Sequence, residues 1–149
     1  MSSGSGFAAS MPGWTAMTIT AVCLVGYLAG VWLSTRVSLR LRSITFIKSL
    51  HLAVFVAITI ILVAFLYEVA ADRIGYVTWA TVGIFLGEGL VLITNHGRCP
   101  LTAVAEDIGS QHGQVTDILL PKFIADRVWT IYTWLFAAGL VGLVLRFII

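Results

Sequence analysis

Apolar runs of about twenty residues follow one another along this chain, separated by short polar breaks. The first, residues 14–33, reads WTAMTITAVCLVGYLAGVWL and contains no charge. A helix of that length crosses the roughly 30 Å of hydrocarbon in a bilayer. Trp14 and Trp32 stand near its two ends, where amphipathic rings favour the interface. The second run, residues 47–70, has His51 near its start and Glu68 near its end. Asp72-Arg73-Ile74-Gly75 then leaves room only for a turn, so the second and third helices are expected to be antiparallel neighbours. The third run, residues 76–95, breaks into HGRCPLT, where Gly97 and Pro100 end a helix. A fourth span is expected over 125–146.

The segment 96–124 separates the last two spans. Within it Leu101, Val104, Ala105 and Ile108 share one face of a short helix near 101–109, with Cys99 or Thr102 as its cap and Glu106 and Asp107 toward water. A turn-rich stretch, Gly109 to Gly113, follows. Asp117 then precedes the apolar ILLPKFI, which is expected to graze the membrane surface. The pattern contains no internal repeat. It predicts an all-α polytopic membrane protein: a single domain, residues 1–149, built as a four-transmembrane-helix bundle with a long cytoplasmic loop between helices 3 and 4.

Composition agrees. The chain has 149 residues, 59% hydrophobic and 11% charged, with a mean hydropathy of +1.00. A soluble domain carries about 25% charged residues, so most side chains here must be solvated by lipid. The net charge of +2 is too small to point to nucleic acid. Two cysteines, Cys23 and Cys99, make no disulfide framework of the secreted kind. Residues 1–13 are small and polar and hold no Lys or Arg, so the first apolar run is expected to be retained rather than removed as a secretory signal.

The distribution of charge says more than its sum. Arg36, Arg40, Arg42 and Lys48 lie in or at the edge of the connection between the first two spans, and Arg98, Lys122 and Arg127 in or at the edge of that between the last two, leaving only Arg73 and Arg146 for the opposite side. The positive-inside rule puts loops 34–46 and 96–124 in the cytoplasm and both termini outside. Arg36, Arg40, Arg42 and Lys48 serve as a topology signal or as a lipid-facing basic cluster, worth about 1 kcal/mol per residue against anionic headgroups. The small-residue pairs Gly26/Gly30, Gly83/Gly87 and Gly139/Gly142 read as helix contacts.

Glu88 is the residue that most needs an explanation, since a carboxyl inside an apolar span must find a partner, water or a proton. Thr81, Glu88 and Asn95 recur every seven residues and form a polar stripe expected to face the bundle interior, with His51 or Arg98 as partner. Such a group either locks helix order through a hydrogen bond or forms a proton or cation site in the wall of a polar cavity. His51, His96, Cys99 and His112 fall on one side and suggest a haem or metal site, although His96 to Cys99 is a lone HxxC. Arg98 and a helix start at Pro100 are expected to favour a Cys99 thiolate. A nucleophile also needs a base and an oxyanion site, and no hydrolase, metalloprotease or nucleotide-binding motif is present.

Arg98-Cys99-Pro100-Leu101-Thr102, with Ala105-Glu106 and later Leu120-Pro121, resembles a family of small uncharacterised bacterial four-helix inner-membrane proteins that carry an RCPLT loop after the third helix. The resemblance covers mainly residues 88–149. It implies a four-helix fold and a bacterial inner membrane, and it implies no substrate. Where members read N-G-W before the motif, this chain has Asn95-His96-Gly97. Three functions follow as expectations: a structural or accessory subunit of a membrane complex or homo-oligomer, in contact with the bilayer; a haem- or metal-binding redox protein using His51, His96 or Cys99; and a small transporter or proton-coupled site built on Glu88. No cofactor is required by any motif, and no enzymatic reaction is indicated.

Overall fold

The computed structural model describes residues 12–109 and 127–148. Among these are five helices, α1 (Gly13–Leu41), α2 (Ile44–Ala70), α3 (Tyr76–Thr94), α4 (Pro100–Asp107) and α5 (Val128–Ile148), and no strand. Four of them, all but α4, are long and apolar enough to cross a membrane. The protein is an all-α polytopic membrane bundle. The parts of the 96–124 segment that hold His112, Asp117, Lys122 and ILLPKFI lie outside the described residues.

α1 runs beyond the span read from hydropathy. Its 29 residues extend about 44 Å, so its last turns, bearing Arg36 and Arg40, pass the hydrocarbon edge. Nothing in STRVSLRL breaks a helix, and arginine is a good helix former. The connection expected over 34–46 therefore shrinks to two residues. Arg42 takes the left-handed conformation (φ 48°) and donates its N–H to the Ser38 carbonyl at 2.9 Å. Ser43 then caps α2, its hydroxyl accepting from the Phe46 N–H. Arg36 stacks over Trp32, 5.2 Å from the ring centroid.

α3 is the centre of the bundle. Gly83 and Gly87 present bare backbone to α1: a Cβ at Gly83 would strike the Thr20 carbonyl, and one at Gly87 the Tyr27 ring. Lipid tails are as apolar as leucine, so close backbone approach rather than hydrophobic force drives this contact. The Thr20 hydroxyl adds a 3.1 Å bond to the Trp79 carbonyl. On another face Phe85 stacks on Phe136 of α5 at 4.5 Å. Phe65 and Val69 of α2 lie against Gly139 and Gly142 of α5 in the same way. Leu62, Phe65, Val69, Phe85 and Leu143 form the core where these helices meet. The first helix's own pair, Gly26 and Gly30, has open space where a side chain would be.

The α2–α3 turn end is closed by polar groups. Asp72 adopts φ 56°, and the Arg73 N–H bonds the Glu68 carbonyl at 2.9 Å. The Glu68 side chain reaches to the start of α3, where Oε2 accepts from the Thr78 N–H at 2.9 Å and from its hydroxyl at 2.5 Å. Arg146 of α5 donates to the Ala70 carbonyl and lies 3.8 Å from Asp72. At the other end α4 packs on α1 and α2. Its face of Leu101, Val104 and Ala105 buries against Ile47, with Ile108 alongside, as the sequence periodicity requires.

Candidate functional site: an intramembrane cavity at the α4 end

Where α3 stops, the chain turns sharply. His96 (φ 56°) and Gly97 (φ 77°) reverse its direction, the Gly97 N–H bonding the Leu92 carbonyl at 2.7 Å. The Asn95 amide donates to the Arg98 carbonyl at 2.7 Å. Pro100 occupies the first turn of α4, where its missing N–H costs nothing. This turn folds α4 back across the bundle and roofs a cavity of about 500 Å³. α1, α2, α3, α4, α5 and the Gly97–Cys99 loop all contribute to its wall.

The lining is mostly apolar, with Val54, Phe55, Ile58, Phe85, Val91 and Trp129 prominent. Its polar groups are few. Glu88 turns its carboxyl to the cavity and accepts a hydrogen bond from the Tyr27 hydroxyl, a contact between α3 and α1. His51 lines the same space from α2 and is half-buried. Tyr132 of α5 shares a hydrogen bond with the Thr59 hydroxyl of α2 and stacks on Phe55 at 5.7 Å. Arg98 and Glu106 pair at 3.7 Å on the wall, with the arginine side chain 58% exposed.

The structure distributes the sequence-derived candidates unevenly. Glu88, His51, Arg98, Cys99, Pro100, Leu101 and Thr102 all line the cavity. Of the polar stripe, only Glu88 does. Thr81 lies two turns deeper, fully buried, with its hydroxyl bonded to the Val77 carbonyl of its own helix. Asn95 is spent on the loop. The hydrogen bond to Glu88 comes from Tyr27 rather than from His51 or Arg98, and Arg98 is drawn instead to Glu106 near the end of α4. His96 is exposed on the turn and is not among the residues lining the cavity, and among the described residues no three His, Cys, Asp or Glu side chains converge as a metal site. His112 lies outside the described residues.

Cys99 also differs from expectation. Burial pushes its thiol up, with the Glu88 carboxyl acting in the same direction, while the Leu101 and Thr102 N–H groups at the start of α4 pull it down. Desolvation is the larger effect, so the helix start does not make a thiolate here. Arg36, Arg40 and Arg42 are exposed at this end of the bundle and Lys48 is half-buried.

Tyr27 was not visible as a site residue in the sequence, nor were Ser34 and Tyr132, which also face the cavity. One signal was available: Tyr27, Val31 and Ser34 fall at i, i+4 and i+7, one face of α1 that carries two hydroxyls in a run without charge. No family model, no curated protein and no solved structure matches this chain.

Proposed function

We propose that this membrane protein binds an amphipathic small molecule in the cavity at the α4 end, with its polar group against Glu88, Tyr27 and His51 and its apolar part along Phe55, Ile58 and Phe85. The observation that carries this reading is the shape and chemistry of the space itself. A cavity of about 500 Å³ falls within the roughly 300–1,000 Å³ of small-molecule sites, which are apolar with a few convergent polar groups. Glu88 as a purely structural tie needs only Tyr27 and no cavity beside it.

Gly30 provides the test. It lines the cavity and has open space at its Cβ, as does Gly26 one turn earlier, which does not line it. Protein purified in mild detergent is expected to retain a non-protein mass, at up to one molecule per chain, in native mass spectrometry. Gly30→Phe should lose that mass and Gly26→Phe should keep it. If neither wild type nor variant carries or takes up a small molecule, the reading fails. The same spectra address a second reading, an accessory subunit or homo-oligomer, which the open Gly26 face of α1 favours: there the native mass is a multiple of the chain and Gly26→Phe reduces it.

We also assign the cavity end to the cytoplasm, in the inner membrane of a bacterium on the RCPLT resemblance. Arg36, Arg40, Arg42, Lys48, Arg98 and Arg127 gather at that end, against Arg73 and Arg146 at the other. A phosphatase that folds only outside the cytoplasm, fused behind Ile149, is expected to be active. An inactive fusion, with a cytoplasmic reporter active at the same position, would reverse the assignment.

A further inference from the structure

We infer that the molecule this cavity accepts is a lipophilic cation, an inference that rests on the cavity reading above and goes beyond it by fixing the charge of the occupant. The first support is a count of formal charges on the wall. Among the described residues, four groups of the usual Asp, Glu, His, Lys and Arg set face the space: Glu88, Glu106, Arg98 and His51. Arg98 lies 3.7 Å from Glu106 and is paired with it. With His51 neutral, Glu88 is the carboxyl that no cation among the described lining residues accompanies, and its hydrogen bond comes from a phenol that brings no positive charge.

Depth gives that single carboxyl its weight. Coulomb attraction scales inversely with dielectric, so a pair that is weak in water becomes several-fold stronger in a partly buried site. Glu88 lies on α3 about two helical turns from the Thr94 end, about 10 Å from it along the axis. An anion brought to the same place is repelled, and a neutral molecule gains no charge interaction.

The second support is independent of charge. Among the described residues five aromatic side chains, Tyr27, Phe55, Phe85, Trp129 and Tyr132, face the cavity from four helices. Aromatic faces attract cations, more strongly where water is excluded, and this suits a diffuse cation with an apolar skin. A small hydrated ion is poorly matched, because a wall made mostly of hydrocarbon cannot replace its water ligands.

Tetraphenylphosphonium and tetraphenylborate are close in size and shape and opposite in charge, so together they isolate the sign. Neutral triphenylphosphine oxide reports whether the space accepts arylated molecules at all. By equilibrium dialysis against the full chain in detergent, with empty micelles subtracted, the phosphonium is expected to bind at least ten-fold tighter than the borate. Glu88→Gln should weaken phosphonium binding ten-fold or more and leave the neutral probe within two-fold, which also shows that the variant is folded. Gly30→Phe should weaken both.

Each other outcome has a distinct meaning. If the neutral probe binds and Gly30→Phe blocks it, while borate matches phosphonium or Glu88→Gln changes nothing, the cavity is a binding site and its preference for cations is refuted. If none of the three probes binds, the cavity reading fails and this inference falls with it. The comparison of phosphonium with borate on the wild type needs no variant, so a Glu88→Gln chain that does not fold leaves the inference open to refutation.

Discussion

Gly83→Leu is expected to destabilise the bundle by about 3 kcal/mol or more, the upper end of what overpacking costs. A Cβ at this position meets the Thr20 carbonyl group and the Cys23 Cβ (3.1 Å) of α1. A flexible side chain could swing away, but a helix carbonyl cannot move without its helix. α1 must then translate outward, which breaks the Thr20 hydroxyl bond to the Trp79 carbonyl and loosens the Gly87–Tyr27 contact one turn on. No hydrophobic force restores the pair, because lipid fills the gap equally well. Gly89→Leu is the matched control: it lies on the same helix with nothing within 4 Å of its Cβ, and removing a helical glycine is expected to be neutral or to gain up to about 1 kcal/mol. The two midpoints of thermal unfolding in detergent, followed by tryptophan fluorescence, decide the matter. Equal midpoints would mean that α1 and α3 are held together by something other than this contact.

That contact also marks where the sequence stops being informative. The number of spans was legible because hydrocarbon thickness imposes run length, and charges other than Glu88 fall only near the ends of the runs. The face of α4 was legible because Leu101, Val104, Ala105 and Ile108 keep helical spacing beside charged neighbours. Inside the spans the same periodicity disappears, since a residue facing lipid and a residue facing a helix are both apolar. Three glycine pairs looked alike in the sequence. Two turned out to be contact faces, while Gly26/Gly30 has open space at both positions.

The partner of Glu88 was hidden for a related reason. Tyr27 lies 61 residues away, and whether it meets Glu88 depends on the rotation of α1 about its axis, which Gly83 and Gly87 fix by contact and not by pattern. A tyrosine in a charge-free run also counts as apolar until its hydroxyl is placed. The end of α1 was missed on simpler grounds. Arginines at a headgroup boundary stop a hydropathy window without stopping a helix, so Arg36 and Arg40 sit on α1 rather than in a loop.

Glu68→Ala is expected to cost about 2 kcal/mol, out of proportion to a residue so near the end of its helix. The carboxylate accepts both the Thr78 N–H and the Thr78 hydroxyl, and Thr78 is fully buried at the third position of α3. Three effects are lost together: a cap worth about 0.5–2 kcal/mol, a negative charge at a helix N-terminus worth about 0.3–1 kcal/mol, and the partner of a buried hydroxyl. Thr78 can recover part of this by turning its hydroxyl to its own helix, which keeps the total near the lower sum. Glu68→Gln retains an acceptor but not the charge, and should cost about half as much. Asp72→Asn supplies the contrast, since it removes the charge and keeps a residue that tolerates the left-handed backbone at this position (φ 56°). The ion pair with Arg146 is long, at 3.8 Å, with side chains 64% and 44% exposed, and exposed pairs of this kind contribute about 0–1 kcal/mol. Thermal unfolding in detergent should rank the variants Glu68→Ala, Glu68→Gln, Asp72→Asn from least to most stable, and amide exchange should quicken at the first turn of α3 in the first two alone. If Asp72→Asn costs as much as Glu68→Ala, this end of the bundle is held by its surface ion pair and not by a carboxylate capping α3 from the neighbouring helix.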